Sequence, residues 1–239
     1  ALGAVAVARA AFERVSFDLI YARPGQTPED WARELGRAID EGCEHLSLYQ
    51  LTIEDGTPFA ALHRAGRLIV PDSEAARALW DVTQEITRAA GLPAYEVSNH
   101  ARPGAESRHN LLYWRYGEYA GIGPGAHGRL DTPEARVATS TERGPEEWVA
   151  RVEAAGHGVI VDEKLTRAEQ ADEYLLMGLR LLEGIDARRF ARLAGRPFDP
   201  ARVAALLEDG MIEVLPDERL RASALGLPVL DAIVADLAA

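Results

Sequence analysis

The residues best equipped for chemistry are concentrated between Arg108 and Leu130, which reads Arg-His-Asn-Leu-Leu-Tyr-Trp-Arg-Tyr-Gly-Glu-Tyr-Ala-Gly-Ile-Gly-Pro-Gly-Ala-His-Gly-Arg-Leu. Two histidines, an asparagine, four large aromatics (Tyr113, Trp114, Tyr116, Tyr119) and five glycines share this span. An imidazole can carry a proton or ligate a metal, and the aromatic rings offer flat apolar surface. No helical period runs through the stretch and its alternation is patchy, so it reads as the irregular wall of a pocket. Gly121, Gly123 and Gly125 allow positive φ or a close approach to a ligand. The alternative is a bulged strand and turn whose aromatics cover the core and whose histidines are hydrogen-bonded for structural reasons.

Other chemically capable residues are scattered. Asp18 sits inside an apolar, β-rich run from Val15 to Tyr21, where a carboxylate needs hydrogen-bond donors to remain charged. Ribose hydroxyls are suitable donors, and so are the backbone amides of the following turn. His100, His109 and His127 lack the tight ligand spacing of a zinc site. Gly121 to Gly125 has the wrong spacing for a dinucleotide loop, and Pro124 removes an amide that a phosphate would use. Glu54 and Glu96, in strand-end loops, act as acids or orient arginines such as Arg102 and Arg108. His45, His63, His100 and His157 read as structural or solvent-facing.

The 239 residues suit one large domain or a large and a small one. The net charge of −12, with Lys164 the only lysine and no basic stripe, argues against nucleic acid or an anionic membrane surface as partner. Cys43 is the only cysteine, so no disulfide forms within the chain and the compartment reads as reducing and cytoplasmic. No apolar run is long enough to span a bilayer, and the sequence indicates no membrane contact.

The elements that must position these residues follow in order. An Ala-rich helix from Ala1 to Arg14 is predicted to begin mid-element, implying an upstream part. Val15 to Tyr21 reads as a strand buried on both faces, followed by a Pro-Gly turn. Thr27 caps a helix that opens at Pro28, and Gly42 closes it. His45 to Leu51 is the next strand, making a parallel βαβ unit with the polar segment Thr52 to Pro58 beyond its carboxyl end. Asp72 caps a long helix, and a third strand is predicted at Ala94 to Ser98. Asp131 to Glu163 contains one helix, near Pro145 to Ala155. From Thr166 a capping box opens an amphipathic helix. Two shorter helices, a small hairpin and a last helix resemble a winged-helix module.

Six segments occur in a familiar order: Phe17-Asp18-Leu19-Ile20-Tyr21, Pro24-Gly25-Gln26-Thr27, Leu48-Tyr49-Gln50-Leu51-Thr52-Ile53-Glu54, Tyr95-Glu96-Val97-Ser98-Asn99, Ala101-Arg102-Pro103-Gly104 and His109-Asn110-Leu111-Leu112-Tyr113-Trp114. In these the chain resembles the HemW family of radical-SAM haem chaperones, related to oxygen-independent coproporphyrinogen III oxidase. The resemblance implies an α/β fold. Residues 1–130 would be the C-terminal part of a radical-SAM partial (β/α) barrel with the haem motif, 131–163 a connecting region, and 164–239 a mostly helical, winged-helix-like, HemN-like module.

It also implies haem, S-adenosyl-L-methionine and a [4Fe-4S] cluster as cofactors. Asp18, Thr52 and His127 would border S-adenosylmethionine. His109 would ligate haem iron or lie beside it, with Asn110, Tyr113 and Trp114 shaping the haem site. The implied function is haem binding and delivery to a haem-accepting protein; the alternative is oxidative decarboxylation of coproporphyrinogen III. The family's CxxxCxxC motif is absent from this sequence, and Cys43 cannot replace it, because a cluster needs three or four thiolates. Whether the chain acts as an enzyme therefore stays open at this point. Ala22-Arg23 stands where the family usually has Gly-Leu, and His100 where it usually has Phe.

Overall fold

A computed structural model describes residues 2–239, so Ala1 of the expected first helix lies outside it. The chain forms two compact units, residues 1–107 and 108–239.

The first unit contains α1 (Leu2–Ala11), β1 (Ser16–Tyr21), α2 (Pro28–Asp40), β2 (His45–Gln50), α3 (Pro58–Arg64), α4 (Ser73–Ala89) and β3 (Asn99–Ala101). Thr27 starts α2 by accepting from the Asp30 amide while the Asp30 carboxylate returns to the Thr27 amide, so two otherwise unpaired groups satisfy each other. Pro28 at the first helical position needs no donor there. The stripe Trp31, Leu35 and Ala38 then buries against β1, β2 and α4, with Tyr21, Leu46, Leu48, Leu79 and Leu92 completing the core. The Trp31 indole stacks on Tyr21 at 5.3 Å and donates to the Thr83 hydroxyl at 2.8 Å, so the polar tip of a buried ring is satisfied.

β1 and β2 pair in parallel, Asp18 opposite Ser47, as the βαβ reading requires. Three expectations for this unit change. The third strand is Asn99–Ala101 rather than Ala94 to Ser98, and it pairs antiparallel to β2, so the βαβ unit is not repeated. Ala94 contributes only an isolated bridge to His100, because the chain turns back tightly between them. β1 is an edge strand with alternating burial, which leaves Asp18 exposed instead of enclosed on both faces. The polar segment after β2 also holds a short helix, α3, capped by Thr57.

The second unit contains α5 (Arg108–Trp114), β4 (His127–Asp131), β5 (Arg136–Thr141), α6 (Pro145–Ala155), β6 (Val159–Lys164), α7 (Arg167–Gly178), β7 (Ile185–Asp186), α8 (Ala187–Ala194), α9 (Pro200–Glu208), β8 (Ile212–Val214), β9 (Arg219–Ala222) and α10 (Leu230–Ala238). The stretch from Arg108 to Leu130 belongs to this unit and not with residues 1–107, because Tyr119 exchanges both backbone hydrogen bonds with Arg129 on β4, and Arg115 is held by Glu183. Residues 131–163 are more than a connection: β4, β5 and β6 form an antiparallel meander around the expected helix α6. The predicted capping box at Thr166 and Glu169 opens α7, whose Tyr174 and Leu175 are buried with Leu179, Leu181, Ile185, Phe190 and Leu237. β7, β9 and β8 make the small wing sheet.

Glu218, in the turn between β8 and β9, has φ +64° and is exposed. A left-handed backbone costs an L-residue about 1–2 kcal/mol, whereas its ion pair with Arg188, both side chains being at least 70% exposed, contributes about 0–1 kcal/mol. Allowing for the chain entropy of glycine, Glu218→Gly is expected to raise the unfolding free energy by about 0.5 kcal/mol in a urea melt. A comparable loss would mean that the ion pair outweighs the strain.

Candidate haem and S-adenosylmethionine positions

The residues from Arg108 to Trp114, expected to lack helical period, form a two-turn helix. The helix explains the motif's spacing. His109 and Tyr113 are one turn apart on one flank, and Asn110 and Trp114 are one turn apart on the next. The His109 ring meets Tyr113 edge-on at 4.7 Å, and Tyr113 meets Tyr119 edge-on at 4.3 Å, forming a continuous aromatic row. His109 is exposed, and neither of its ring nitrogens has a hydrogen-bond partner among the described residues. An imidazole nitrogen held beside ring faces in this way fits a haem-iron ligand. Trp114 lies farther round the helix, about 140° from His109 at 3.6 residues per turn, and the Arg180 guanidinium covers its ring at 4.4 Å.

α5 ends in an uncommon way. The Gly117 amide donates to the Leu112 carbonyl and the Tyr116 amide to that of Tyr113, the paired bonds of a Schellman cap. Such caps usually place glycine in the left-handed position, yet Tyr116 occupies it with φ +55°. Its ring is buried, its hydroxyl donates to Glu173 at 2.9 Å, and the Arg136 guanidinium lies 3.9 Å from the ring centre. Burial and the negative Glu173 carboxylate push the phenol pKa far above its ordinary value. Arg129 grips the same carboxylate in a forked pair at 2.7–3.1 Å. Glu173 on α7 thus ties the end of α5 to β4, the strand that pairs with Tyr119. Sequence reasoning missed Tyr116 in this role, together with Glu173, Arg129 and Arg136. Only the Tyr-Gly pair closing the aromatic run hinted at a helix end.

The glycine loop behaves as its composition suggests. Gly123 and Gly125 take φ of +104° and +67°, and a Cβ at Gly121 would collide with the His127 carbonyl oxygen. Thr141 pins the loop by accepting from the Ala126 amide at 2.8 Å and donating to the Gly123 carbonyl at 2.6 Å. His127 follows, exposed, as the first residue of β4.

Asp18 and Thr52 belong to the first unit. Asp18 is solvent-facing on β1, and the Thr52 hydroxyl is 3.5 Å from Glu54 just beyond β2. The expectation of a carboxylate buried among apolar neighbours is therefore corrected, because alternation on an edge strand turns position 18 outward. Cys43 is buried, its thiol pKa raised by burial, and one thiol does not fit a [4Fe-4S] cluster. No group of three or more potential metal ligands occurs among the described residues, so His100, His109 and His127 do not gather as a zinc triad there. Glu96, proposed as an acid or an orienter of arginine, is fully buried and accepts from the Ser98 amide at 2.8 Å and the Asn99 amide group at 2.5 Å. No helix among the described residues is long and apolar enough to cross a membrane.

Comparisons with known proteins now bear on these arrangements. The HemN C-terminal domain family matches residues 165–229. The chain is 38% identical to radical S-adenosyl methionine domain-containing protein 1, mitochondrial, of Mus musculus, over 99% of this chain and 56% of that protein. It is 33% identical to heme chaperone HemW of Bacillus subtilis, over 84% of this chain and 53% of that protein. The chain thus spans about half the length of these curated relatives. The solved structure of coproporphyrinogen III oxidase (HemN) from Escherichia coli, a radical SAM enzyme, superposes with a TM-score of 0.74 over 98% of this chain and 57% of that one, at 18% identity. That likeness gives the α/β fold, the C-terminal part of a radical-SAM barrel followed by a HemN-type module. Motif order, C-terminal module and relatives agree, and the chain belongs to the HemW-like branch of the coproporphyrinogen-oxidase-like radical-SAM family.

Proposed function

We propose that this chain carries the haem-handling face of a haem chaperone, binding haem through His109 and passing it to an acceptor protein. The observation that carries the reading is the exposed His109 ring at the end of the His109–Tyr113–Tyr119 aromatic row. His109 would hold haem, when bound, through a neutral imidazole nitrogen on its iron. Within this reading His109 donates a nitrogen lone pair, Tyr113 sets the tilt of the imidazole, and Asn110 and Trp114 fix the neighbouring flank of α5. The relatives named heme chaperone HemW lend support, and we carry that role to this chain on the strength of the motif.

Asp18 and Thr52, both in the first unit, are proposed to border S-adenosylmethionine. Asp18, being exposed on β1, would accept hydrogen bonds from ribose hydroxyls. The [4Fe-4S] cluster, if the whole protein holds one, must find its thiolates outside the 239 residues, which contain only Cys43. A reducing cytoplasmic setting remains our reading of the compartment; the mitochondrial location in some relatives' names is said of those proteins.

The test is a haem titration followed by absorbance, wild type beside His109→Ala. Wild type is expected to bind saturably at one haem per chain, and the variant at least tenfold more weakly, about 1.4 kcal/mol. Equal binding by the variant, or no saturable binding by the folded wild type, would remove the chaperone reading and return weight to coproporphyrinogen oxidation.

A further inference from the structure

On the other side of α5 from His109, the second unit has a cleft of about 280 Å³ with walls formed by Trp114, Tyr174, Arg115, Glu183, Arg189 and Arg219. We propose that it is a binding site for a small planar carboxylate, centred on Arg189.

The charge inventory is the first ground. With Asp186 included, three guanidiniums line the cleft against two carboxylates, one positive charge in excess in a chain of net charge −12. The positive groups are not equivalent. Arg115 is paired in a fork to Glu183 at 2.7 and 2.9 Å, which holds the Glu183 carboxyl below its ordinary pKa, and Arg219 also approaches Glu183 at 3.5 Å. Arg189 faces no carboxylate within 4 Å among the described residues. It instead donates to the carbonyls of Arg115 at 2.8 Å and Tyr116 at 3.1 Å, and lies 4.6 Å from the centre of the Tyr174 ring.

The bland account makes Arg189 a cap for the C-terminus of α5, and its two carbonyl bonds do serve that end. Two features exceed what a cap needs. Arg136 already donates to the Gly117 carbonyl at 2.7 Å and reaches that of Tyr116 at 3.4 Å, so the helix end has another cation. Furthermore, a helix terminus offers only about half an elementary charge, so a guanidinium there retains a net positive field. Arg189 uses two of five N–H donors on the carbonyls, and the remaining ones suit the two oxygens of a carboxylate.

The walls set the rest of the ligand's chemistry. Trp114, with Arg180 over its ring, and the nearly buried Tyr174 contribute aromatic carbon to the lining, and the volume is slightly below that of sites for drug-sized ligands, which fits a single-ring molecule. The site does not depend on haem. Trp114, about 140° round α5 from His109, is the one lining residue also named for haem; Arg189, Tyr174 and Arg219 take no part in that reading.

The test uses calorimetric titration of the chain with benzoate, with benzamide as its neutral isostere and acetate as the anion without a ring. Benzoate is expected to bind saturably and at least tenfold more tightly than either. Arg189→Gln should abolish the preference for benzoate over benzamide, and Arg189→Lys, which keeps the charge without the fork, should reduce it several-fold. Thermal midpoints within a few degrees of wild type certify that a variant has folded. If Arg189→Gln proves unstable, the Lys variant carries the test. The proposal is overturned by absence of saturable benzoate binding, by equal binding of benzoate and benzamide, by acetate matching benzoate, or by a preference that survives the loss of the guanidinium.

Discussion

Acidification from pH 7 to pH 4 is expected to remove about 3 kcal/mol of stability from the first unit through His100 alone, a contribution that His100→Phe abolishes. His100 on β3 is 1% exposed, its Nε2 is 3.4 Å from the Gln84 amide nitrogen, and a backbone hydrogen bond with Ser98 only partly offsets the cost of burying its charge. Burial disfavours the imidazolium, the nearby His45 adds to the effect, and the pKa falls from 6.5 to about 4. The folded state therefore binds fewer protons than the unfolded state between pH 6.5 and pH 4. Stability from this group is complete above pH 6.5 and is lost as pH falls toward 4. Linkage puts the loss at about 2 kcal/mol by pH 5 and about 3 kcal/mol by pH 4. His45, buried on β2 with its Nε2 2.9 Å from the Tyr95 hydroxyl, is also shifted downward by burial and adds to the same slope. Phenylalanine has no proton to bind and suits a buried site. Urea melts at pH 7, 5 and 4 check the prediction, followed by the fluorescence of Trp31 and Trp80 with Trp114 and Trp148 of the second unit replaced by phenylalanine in both proteins. Carboxylates titrate in both proteins, so the difference between the two slopes is the quantity to read. Parallel slopes would refute the assignment to His100.

The same histidine illustrates what sequence can and cannot show. The helices were legible because their signals are local: Thr27 with Asp30, Asp72, and Thr166 with Glu169 each act within one turn, and the structure has caps at all three. The parallel pairing of β1 with β2 followed from the length of the α2 connection. β3 was misplaced because three residues paired by a tight reversal carry too little alternation to register. Asp18 departs from expectation for a related reason: an apolar run does not reveal whether one or both faces of its strand are covered, and the face carrying Ser16, Asp18 and Ile20 is exposed. In the candidate site, the motif residues were readable as a set, but their geometry was not. Helical spacing was masked by the aromatics and by Asn110, none of which favours a helix intrinsically. Glu173, Arg129, Arg136 and Arg189 are ordinary charged residues in sequence, and only the fold brings them to Tyr116. Tertiary ion pairing leaves no periodic trace, so this supporting layer was out of reach.

Tyr116 yields the second large effect, an inverted order of substitutions. Tyr116→Ala is expected to cost about 4 kcal/mol. It loses a buried ring worth about 2–3 kcal/mol, a hydrogen bond to a charged acceptor worth about 1.5–3 kcal/mol, and the Arg136 cation–π contact worth about 0.5–2 kcal/mol, terms that overlap and do not simply add. At ordinary positions glycine is worse than alanine. Here the backbone is left-handed, and glycine removes a Cβ penalty of about 1–2 kcal/mol, so Tyr116→Gly should be about 1 kcal/mol more stable than Tyr116→Ala. Tyr116→Phe separates the parts by retaining the ring while deleting only the phenol, at about 1.5–3 kcal/mol. The strain persists because the side chain is fixed from three directions, by Glu173, Arg136 and Tyr174. The consequence reaches His109 and its neighbours on α5, since the Tyr116 cap fixes where α5 stops and Glu173 joins that cap to Arg129, the backbone partner of Tyr119. Haem affinity measured on the folded Gly variant should fall although all four motif side chains are intact. Urea melts of the three variants settle the energetic order. If the Gly variant is less stable than the Ala variant, the left-handed cap is not held in solution and the account of how α5 is positioned fails with it.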